Sequence, residues 1–125
     1  MGVPSDTMTD PMEARQFLVL LAQIPHLLDL ARQQGGLDRY AIQKSLREQH
    51  RRAGLPFLYS MPMRHLVRCP LCAYSETDVL HELEDPRRGM KMEFTQLLLH
   101  QAEAHALPAD DDLADFLAGC LEVKP

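Results

Sequence analysis

His65-Leu66-Val67-Arg68-Cys69-Pro70-Leu71-Cys72 alternates like a strand for four residues and then closes on two thiols held two residues apart. Alternation places successive side chains on opposite faces of an extended chain. Pro70, between the thiols, favours a tight knuckle in which backbone amides point at sulfur. Downstream, Phe94, Leu97, Leu98, Gln101 and Ala102 mark a stripe at helical spacing, with Thr95 or a neighbour as the start signal and Pro108 as the stop. That helix carries His100 and His105. Two thiolates and two imidazoles are the donor set of a closed tetrahedral zinc site, which leaves no position for a substrate and so predicts a structural metal. The order is C-x-x-C followed by H-x-x-x-x-H, and the histidine spacing falls inside the usual three to five. The intervening residues 73–99 are about twice the ~12–15 expected between such pairs. Five residues span about 140° around an ideal helix, so both imidazoles reach one ion only if the helix end tightens or the second one reaches back.

Residues 64–107 resemble the two-Cys/two-His zinc-finger class, in which a strand feeds a knuckle and a helix follows. The resemblance implies a ββα unit with Cys69, Cys72, His100 and His105 as zinc ligands. The long insert departs from the pattern of the nucleic-acid-reading type. Other readings of the same residues stand beside it. A C-x-x-C pair after a strand can be a redox dithiol, although no Trp precedes Cys69 and no alternating strand-helix pattern surrounds it. Alternatively, the thiols are small buried apolar groups and the two histidines lie on a helix surface. A deaminase-type catalytic zinc needs H-x-E ahead of P-C-x-x-C, whereas here His81-Glu82 follows the cysteines and Arg68 stands where that motif places Pro. H-E-x-x-H is absent, because Asp85 takes the place of its second His. His81 and His65 are further candidate ligands.

The rest of the chain predicts a mainly α protein with a small β element: an N-terminal αα-hairpin, the ββα unit, and a C-terminal helix. Residues 1–9 read as a flexible lead-in. Residues 10–62 read as the hairpin and its connector, and residues 63–125 as the finger-like unit with the last helix, all packed as one domain. Asp10-Pro11 offers an N-cap with Pro at the first helical position. Phe17, Leu20, Leu21, Ile24, Leu27, Leu28 and Ala31 then recur at three- and four-residue steps. Pro25 should kink or divide that helix, because its ring clashes with the carbonyl four residues back, and Gly35-Gly36 ends it. A second helix runs from about Leu37 or Asp38 to Ala53 with Gly54 as its cap, turning Leu37, Tyr40, Ala41 and Leu46 toward the first. Leu55 to Pro62 is an apolar, proline-bounded connector that cannot be helical throughout and is expected to pack extended on the core and lead into the strand ahead of Cys69. Asp78 to Leu83 fits a short helix or a return strand equally, Glu84 to Gly89 is a turn, and Met90 to Phe94 a strand pairing back. Asp110, Asp111 and Asp112 suit the positive N-terminus of a final helix reaching about Leu121, with Leu113, Phe116, Leu117 and Cys120 as its apolar face.

At 125 residues with 46% hydrophobic content the chain can fill a core, but with no Trp and only 6% aromatic residues it must build that core from Leu, Ala, Val and Met. No run of 18 apolar residues exists, and the N-terminus lacks a basic region followed by an apolar core. Three cysteines, two at metal spacing, suit a reducing compartment. A cytoplasmic location is therefore expected. Residues 39–68 carry seven Lys and Arg against Glu48 alone, a net of +6, and residues 92–125 carry Lys124 against seven carboxylates, a net of −6. Lys44, Arg47 and Arg51, with Arg52 beside them, form a candidate binding face on the second helix. A solvated helix surface is the plainer reading, and the overall −5 argues against a dedicated nucleic-acid binder. No Gly-rich phosphate loop, G-x-S-x-G or paired E-x-x-H is present. The expected function is a non-enzymatic, zinc-stabilised interaction or accessory module whose partner is a protein with an acidic patch. Nucleic-acid binding through the basic helix and the finger is the alternative, and a thiol redox protein using Cys69 and Cys72 the second.

Overall fold

The apolar, proline-bounded stretch that the sequence left as a connector is the start of a 12-residue strand. In the computed structural model, which describes residues 12–72 and 75–121, helices α1 (Ala14–Leu21), α2 (Leu27–Gln34) and α3 (Arg39–Ala53) precede strands β1 (Phe57–Arg68), β2 (Glu76–Asp85) and β3 (Met90–Thr95). Helices α4 (Gln96–His105) and α5 (Asp111–Leu121) follow. The fold class is therefore corrected from mainly α to mixed α/β, with an antiparallel meander in the order β1-β2-β3. The finger-like unit is likewise βββα rather than ββα, and the overlong insert between the ligand pairs is the β2-β3 hairpin. Among the described residues the ambiguous Asp78 to Leu83 is strand throughout. Its neighbours on both sides decide this, since Leu80 lies opposite Met61 in β1 and Thr95 in β3.

Period-two alternation sorts the sheet into two apolar faces. Phe57, Tyr59 and Met61 lie opposite Glu84, Glu82 and Leu80 and pack with Leu27, Ala31, Ile42 and Leu46 of α2 and α3. Leu58, Leu83, Phe94 and Met92 face the other way, onto Phe17 and Leu21 of α1, Leu98 and Leu99 of α4, and Leu113, Phe116, Leu117 and Cys120 of α5. A three-stranded sheet covered by helices on both sides is the result. Pro25 divides the first helical stretch, as predicted, into α1 and α2. The hairpin is formed by α2 and α3, and its inner face differs from the expected one: Leu37 is fully exposed and Tyr40 and Ala41 are exposed, while Ile42, Gln43 and Leu46 turn inward. Asp38 caps α3 by accepting from the Ala41 amide, and Gly54 closes it in the left-handed region at φ 71°. The Asp10-Pro11 start and the lead-in lie outside the described residues.

The outer edge of β1 is closed one residue at a time. The Leu58 amide donates to the Pro25 carbonyl at 2.8 Å. Two residues on, the Gln43 side chain stands in for a neighbouring strand: its Nε2 donates to the Ser60 carbonyl and its Oε1 accepts from the Ser60 amide, both at 2.9 Å. Two residues further, Pro62 has no amide to leave unpaired. A buried glutamine mimicking a peptide group explains why a polar residue replaces the expected apolar one on the inner face of α3.

The β2-β3 turn ties the sheet to α5. Asp85 is fully buried and holds Arg88 Nε at 2.6 Å, and Arg88 in turn donates to the Phe116 carbonyl at 3.1 Å and lies over the Phe116 ring. Arg87 donates to the Cys120 carbonyl. Cations at the C-terminal end of a helix complement its dipole, and α5 has none of its own there. Gly119 makes this possible, since a Cβ at that position would lie 2.6 Å from Arg88 Nη1. Helix propensity alone makes Gly119→Ala stabilising by about 0.5–1 kcal/mol. Displacing Arg88 would leave the buried Asp85 carboxylate to Arg87 alone, whose amide donates to it at 3.1 Å and whose Nε lies 3.6 Å away, a loss of about 1.5–3 kcal/mol for the missing charged hydrogen bond. Net destabilisation of about 1–2 kcal/mol is therefore expected in urea unfolding, the propensity gain offsetting part of the ion-pair loss; a stabilised variant would show that Arg88 moves aside without cost.

Candidate metal centre

β1 ends where its backbone turns away from the sheet at Cys69, whose amide donates to the Ser75 carbonyl at 3.0 Å and closes the knuckle. α4 begins directly from β3, with Thr95 extended at the N-cap position, and runs back across the sheet to the knuckle. Cys69, Cys72, His100 and His105 thereby each bring one donor atom to a common point, all within 4.8 Å of one another. Tetrahedral bonds of about 2.3 Å to sulfur and about 2.0–2.1 Å to nitrogen require donor separations of about 3.4–3.8 Å. Cys72 Sγ and His100 Nε2 stand 3.4 Å apart, and the two imidazoles are edge-on with centroids 5.1 Å apart.

Two further observations test whether these residues fit a metal. His105 Nε2 is buried and has no hydrogen-bond partner among the described residues, a state that costs on the order of 1–3 kcal/mol unless another group takes the lone pair or proton. Cys69 is buried too. Burial raises its thiol, but hydrogen bonds from the backbone of Leu71 and Cys72 and from the Cys72 and Gln101 side chains outweigh this and hold it below the ordinary thiol range. Amides two and three residues on, aimed at the first sulfur, are the knuckle geometry expected from Pro70. A lowered thiol means more thiolate, the form that binds metal. The donor set, spacing and orphaned nitrogen all suit a four-coordinate ion.

Of the two routes that the ~140° spacing allowed, a tighter helix end is not taken, and the last turn opens instead. The Ala106 amide reaches the carbonyl of Gln101, five residues back, and the Leu107 amide reaches the same carbonyl at 3.2 Å. An i→i−5 bond puts an extra residue into the last turn. Widening lowers the rotation per residue, so positions five apart come closer to the same side; tightening would have separated them. Ala106 is left in the left-handed region at φ 53° and ψ 33°, the one non-glycine residue with positive φ among those described.

Partners of the ligand residues carry no spacing signal and were missed in the sequence. Ser75 Oγ lies 3.3 Å from His100 Nδ1, the nitrogen that would not face the metal, and so can fix the ring's tautomer and orientation. Gln101, assigned to the apolar stripe, instead meets Cys69. Of the spare candidates, His65 is exposed and His81 is buried and bonded elsewhere, so neither joins the cluster. The basic residues separate. Arg47 lies 4.2 Å over the Tyr59 ring, and Arg51 makes a two-pronged ion pair with Glu84 at 2.8 and 2.9 Å, which raises its pKa through hydrogen bonding against the cost of burial. Lys44 and Arg52 are exposed. No helix among the described residues is long and apolar enough to cross a membrane. No protein-family model, curated protein or solved structure matches this chain.

The strained alanine gives a direct check on the widened turn. A left-handed L-residue costs roughly 1–2 kcal/mol, and glycine returns part of that gain through its freer unfolded chain. Ala106→Gly is expected to stabilise by up to about 1 kcal/mol in thermal or urea unfolding. A loss of similar size would mean that position 106 is not left-handed.

Proposed function

We propose that Cys69, Cys72, His100 and His105 hold one zinc ion and that the ion's role is structural. The buried Nε2 of His105 carries this reading, because every other donor of the cluster has some alternative use and this one has none among the described residues. Four protein donors leave no open coordination position, so the ion would pin the end of α4 to the end of β1 and supply no reaction. Two thiolates and two imidazoles favour zinc over the hard cations, which prefer oxygen. Expected values are about one zinc per chain, lost in Cys69→Ser and in His100→Ala. Structural zinc is worth about 10–16 kcal/mol in finger peptides, comparable to the ~5–15 kcal/mol stability of a whole domain. Chelation should therefore release at least the knuckle and α4, read as lost hydrogen-exchange protection there. Equal melting temperatures with and without chelator would overturn the structural role.

Around that site the chain acts as a cytoplasmic, non-enzymatic interaction or accessory module, and its partner is a protein bearing an acidic patch. Lys44 and Arg52 of α3, exposed and without an ion pair among the described residues, support such a partner. Arg47 and Arg51, engaged with Tyr59 and Glu84, contribute to the shape of that face more than to free charge. A random-sequence DNA duplex should show no saturable binding at about 0.15 M salt, since a polyanion drawn to one end of the molecule meets six net negative charges at the other. Tight binding that weakens steeply with salt and vanishes in Lys44→Glu/Arg52→Glu would replace this reading by nucleic-acid recognition.

A further inference from the structure

Away from the metal cluster, five polar side chains from four elements form one continuous chain. Asp29 Oδ2 is 3.1 Å from His26 Nδ1; His26 Nε2 is 2.6 Å from Ser60 Oγ; Ser60 Oγ is 2.7 Å from His81 Nδ1; and His81 Nε2 is 2.6 Å from Gln96 Oε1. Ser60 and His81 are almost completely buried. Both ends of the chain open on the same cavity of about 570 Å³, whose wall includes Leu18, His26, Asp29, His81, Gln96 and Leu99. The connectivity of Asp29, His26 and Ser60 is that of a nucleophilic triad, but the serine cannot serve as one. Its hydroxyl is held between two imidazoles, and its own amide is bonded to Gln43, so it is not free to stabilise an oxyanion.

Counting donors and acceptors limits the chain to few proton arrangements. Begin with both rings neutral. Asp29 accepts from His26 Nδ1–H, His26 Nε2 accepts from the Ser60 hydroxyl, and Ser60 Oγ accepts from His81 Nδ1–H. His81 Nε2 is then a lone pair, and the Gln96 amide must turn its –NH2 toward it. If Gln96 instead presents Oε1, His81 Nε2 must be protonated. With both rings still neutral, that reverses every bond and leaves a bare His26 Nδ1 facing the Asp29 carboxylate. One added proton removes the conflict. His81 Nε2 and the Gln96 side-chain amide are 2.6 Å apart, close enough for the amide to serve either arrangement by turning over.

We infer that Asp29, His26, Ser60, His81 and Gln96 form a proton relay, which takes up one proton from solvent through the cavity and stores it on His26. The proton binds His81 Nε2 as the Gln96 amide turns. The Nδ1 proton of His81 passes to Ser60 Oγ, and the Ser60 hydroxyl proton passes to His26 Nε2. Bonds made and broken balance: His81 ends neutral with its proton on the other nitrogen, Ser60 regains a hydroxyl, and His26 becomes an imidazolium against Asp29.

The surroundings decide where the charge rests. Burial holds His81 below the ordinary imidazole range, with the Gln96 hydrogen bond opposing and the nearby His26 adding to the effect. From β3 the His81 ring meets only Phe94, and from α1 the cavity wall carries no charged group. His26 faces the Asp29 carboxylate of α2, which Arg32 shares at 3.2 Å. Gln33 is the remaining polar group of the wall. Only His26 has an anion within reach.

The test is long-range ¹H–¹⁵N correlation of the histidine rings in the intact, metal-loaded protein, titrated from about pH 8 to about pH 5 across the imidazole range. In one transition, His26 should become doubly protonated while His81 exchanges tautomers: its Nδ1 signal moves from the protonated to the unprotonated position and its Nε2 signal moves the other way. In Ser60→Ala the His26 transition should persist while His81 keeps a single tautomer. If His81 holds one tautomer through the wild-type titration, or changes at a different pH from His26, the five groups are a static hydrogen-bonded chain and the relay is wrong. Neither ring changing over the range in which the protein stays folded is equally decisive against it. The outcome does not depend on whether the Cys and His cluster holds zinc.

Discussion

Ser60 is bonded through every polar atom it has. Its amide and carbonyl are clamped by Gln43 of α3, its hydroxyl lies between His26 ahead of α2 and His81 of β2, and its Cα lies opposite His81 in the β1-β2 ladder. The α2-α3 layer and the sheet are therefore referenced to one residue. Buried polar groups are tolerated only when all are satisfied, since each one left unpaired costs about 1–3 kcal/mol. Once all are satisfied they specify a single register, because a one-residue slip of β1 would turn Ser60 to the other face and leave Gln43 and one nitrogen of each imidazole without its partner.

The metal centre depends on that register. Cys69 follows the last residue of β1, and His100 lies one turn into a helix that starts where β3 stops. The donors meet only if β1, β2 and β3 are paired as they are, which places the knuckle and α4 at the same end of the sheet. The cluster lies at an end where apolar packing is thin: Leu66 and Leu71 are exposed, and Ala102 is the one fully buried side chain of α4. A metal bound at such a place would supply cohesion that a small core does not.

Two cations of the basic stretch, Arg51 and Arg68, are paired with carboxylates of β2, and the described carboxylates of residues 92–125 take no part in the ion pairs. Arg51 pairs with Glu84, Lys91 with Glu82, Arg68 with Glu76, and Arg87 and Arg88 with Asp85. The best buried of these, Arg88 with Asp85, also completes the carbonyl end of α5. A run of arginines read in one dimension as a binding stripe is, in three, partly a set of struts between layers. Exposed pairs of this kind contribute little, about 0–1 kcal/mol each, whereas the fully buried Asp85 carboxylate depends on its partners.

Local signals carried what depends on neighbours in the chain. Asp38 and Gly54 marked the ends of α3, Pro25 the break between α1 and α2, and the 3.6-residue spacing of Leu113, Phe116, Leu117 and Cys120 the inner face of α5. The C-x-x-C knuckle and the two histidines were legible because metal donors must be close in sequence where a turn or helix presents them. What depends on partners far along the chain could not be read that way. The sheet was underestimated because the Leu55 to Pro62 stretch is neither alternating nor long, and becomes a strand by pairing with β2 about 20 residues on. Gln43, Ser60, His26 and His81 are unremarkable one at a time; only the tertiary structure brings them together. The same holds for the last turn of α4. The sequence set the histidines five residues apart, but the shared carbonyl of Gln101 and the left-handed Ala106 decided that the turn opens, since a hydrogen-bond pattern at a helix end is chosen by what the end must reach.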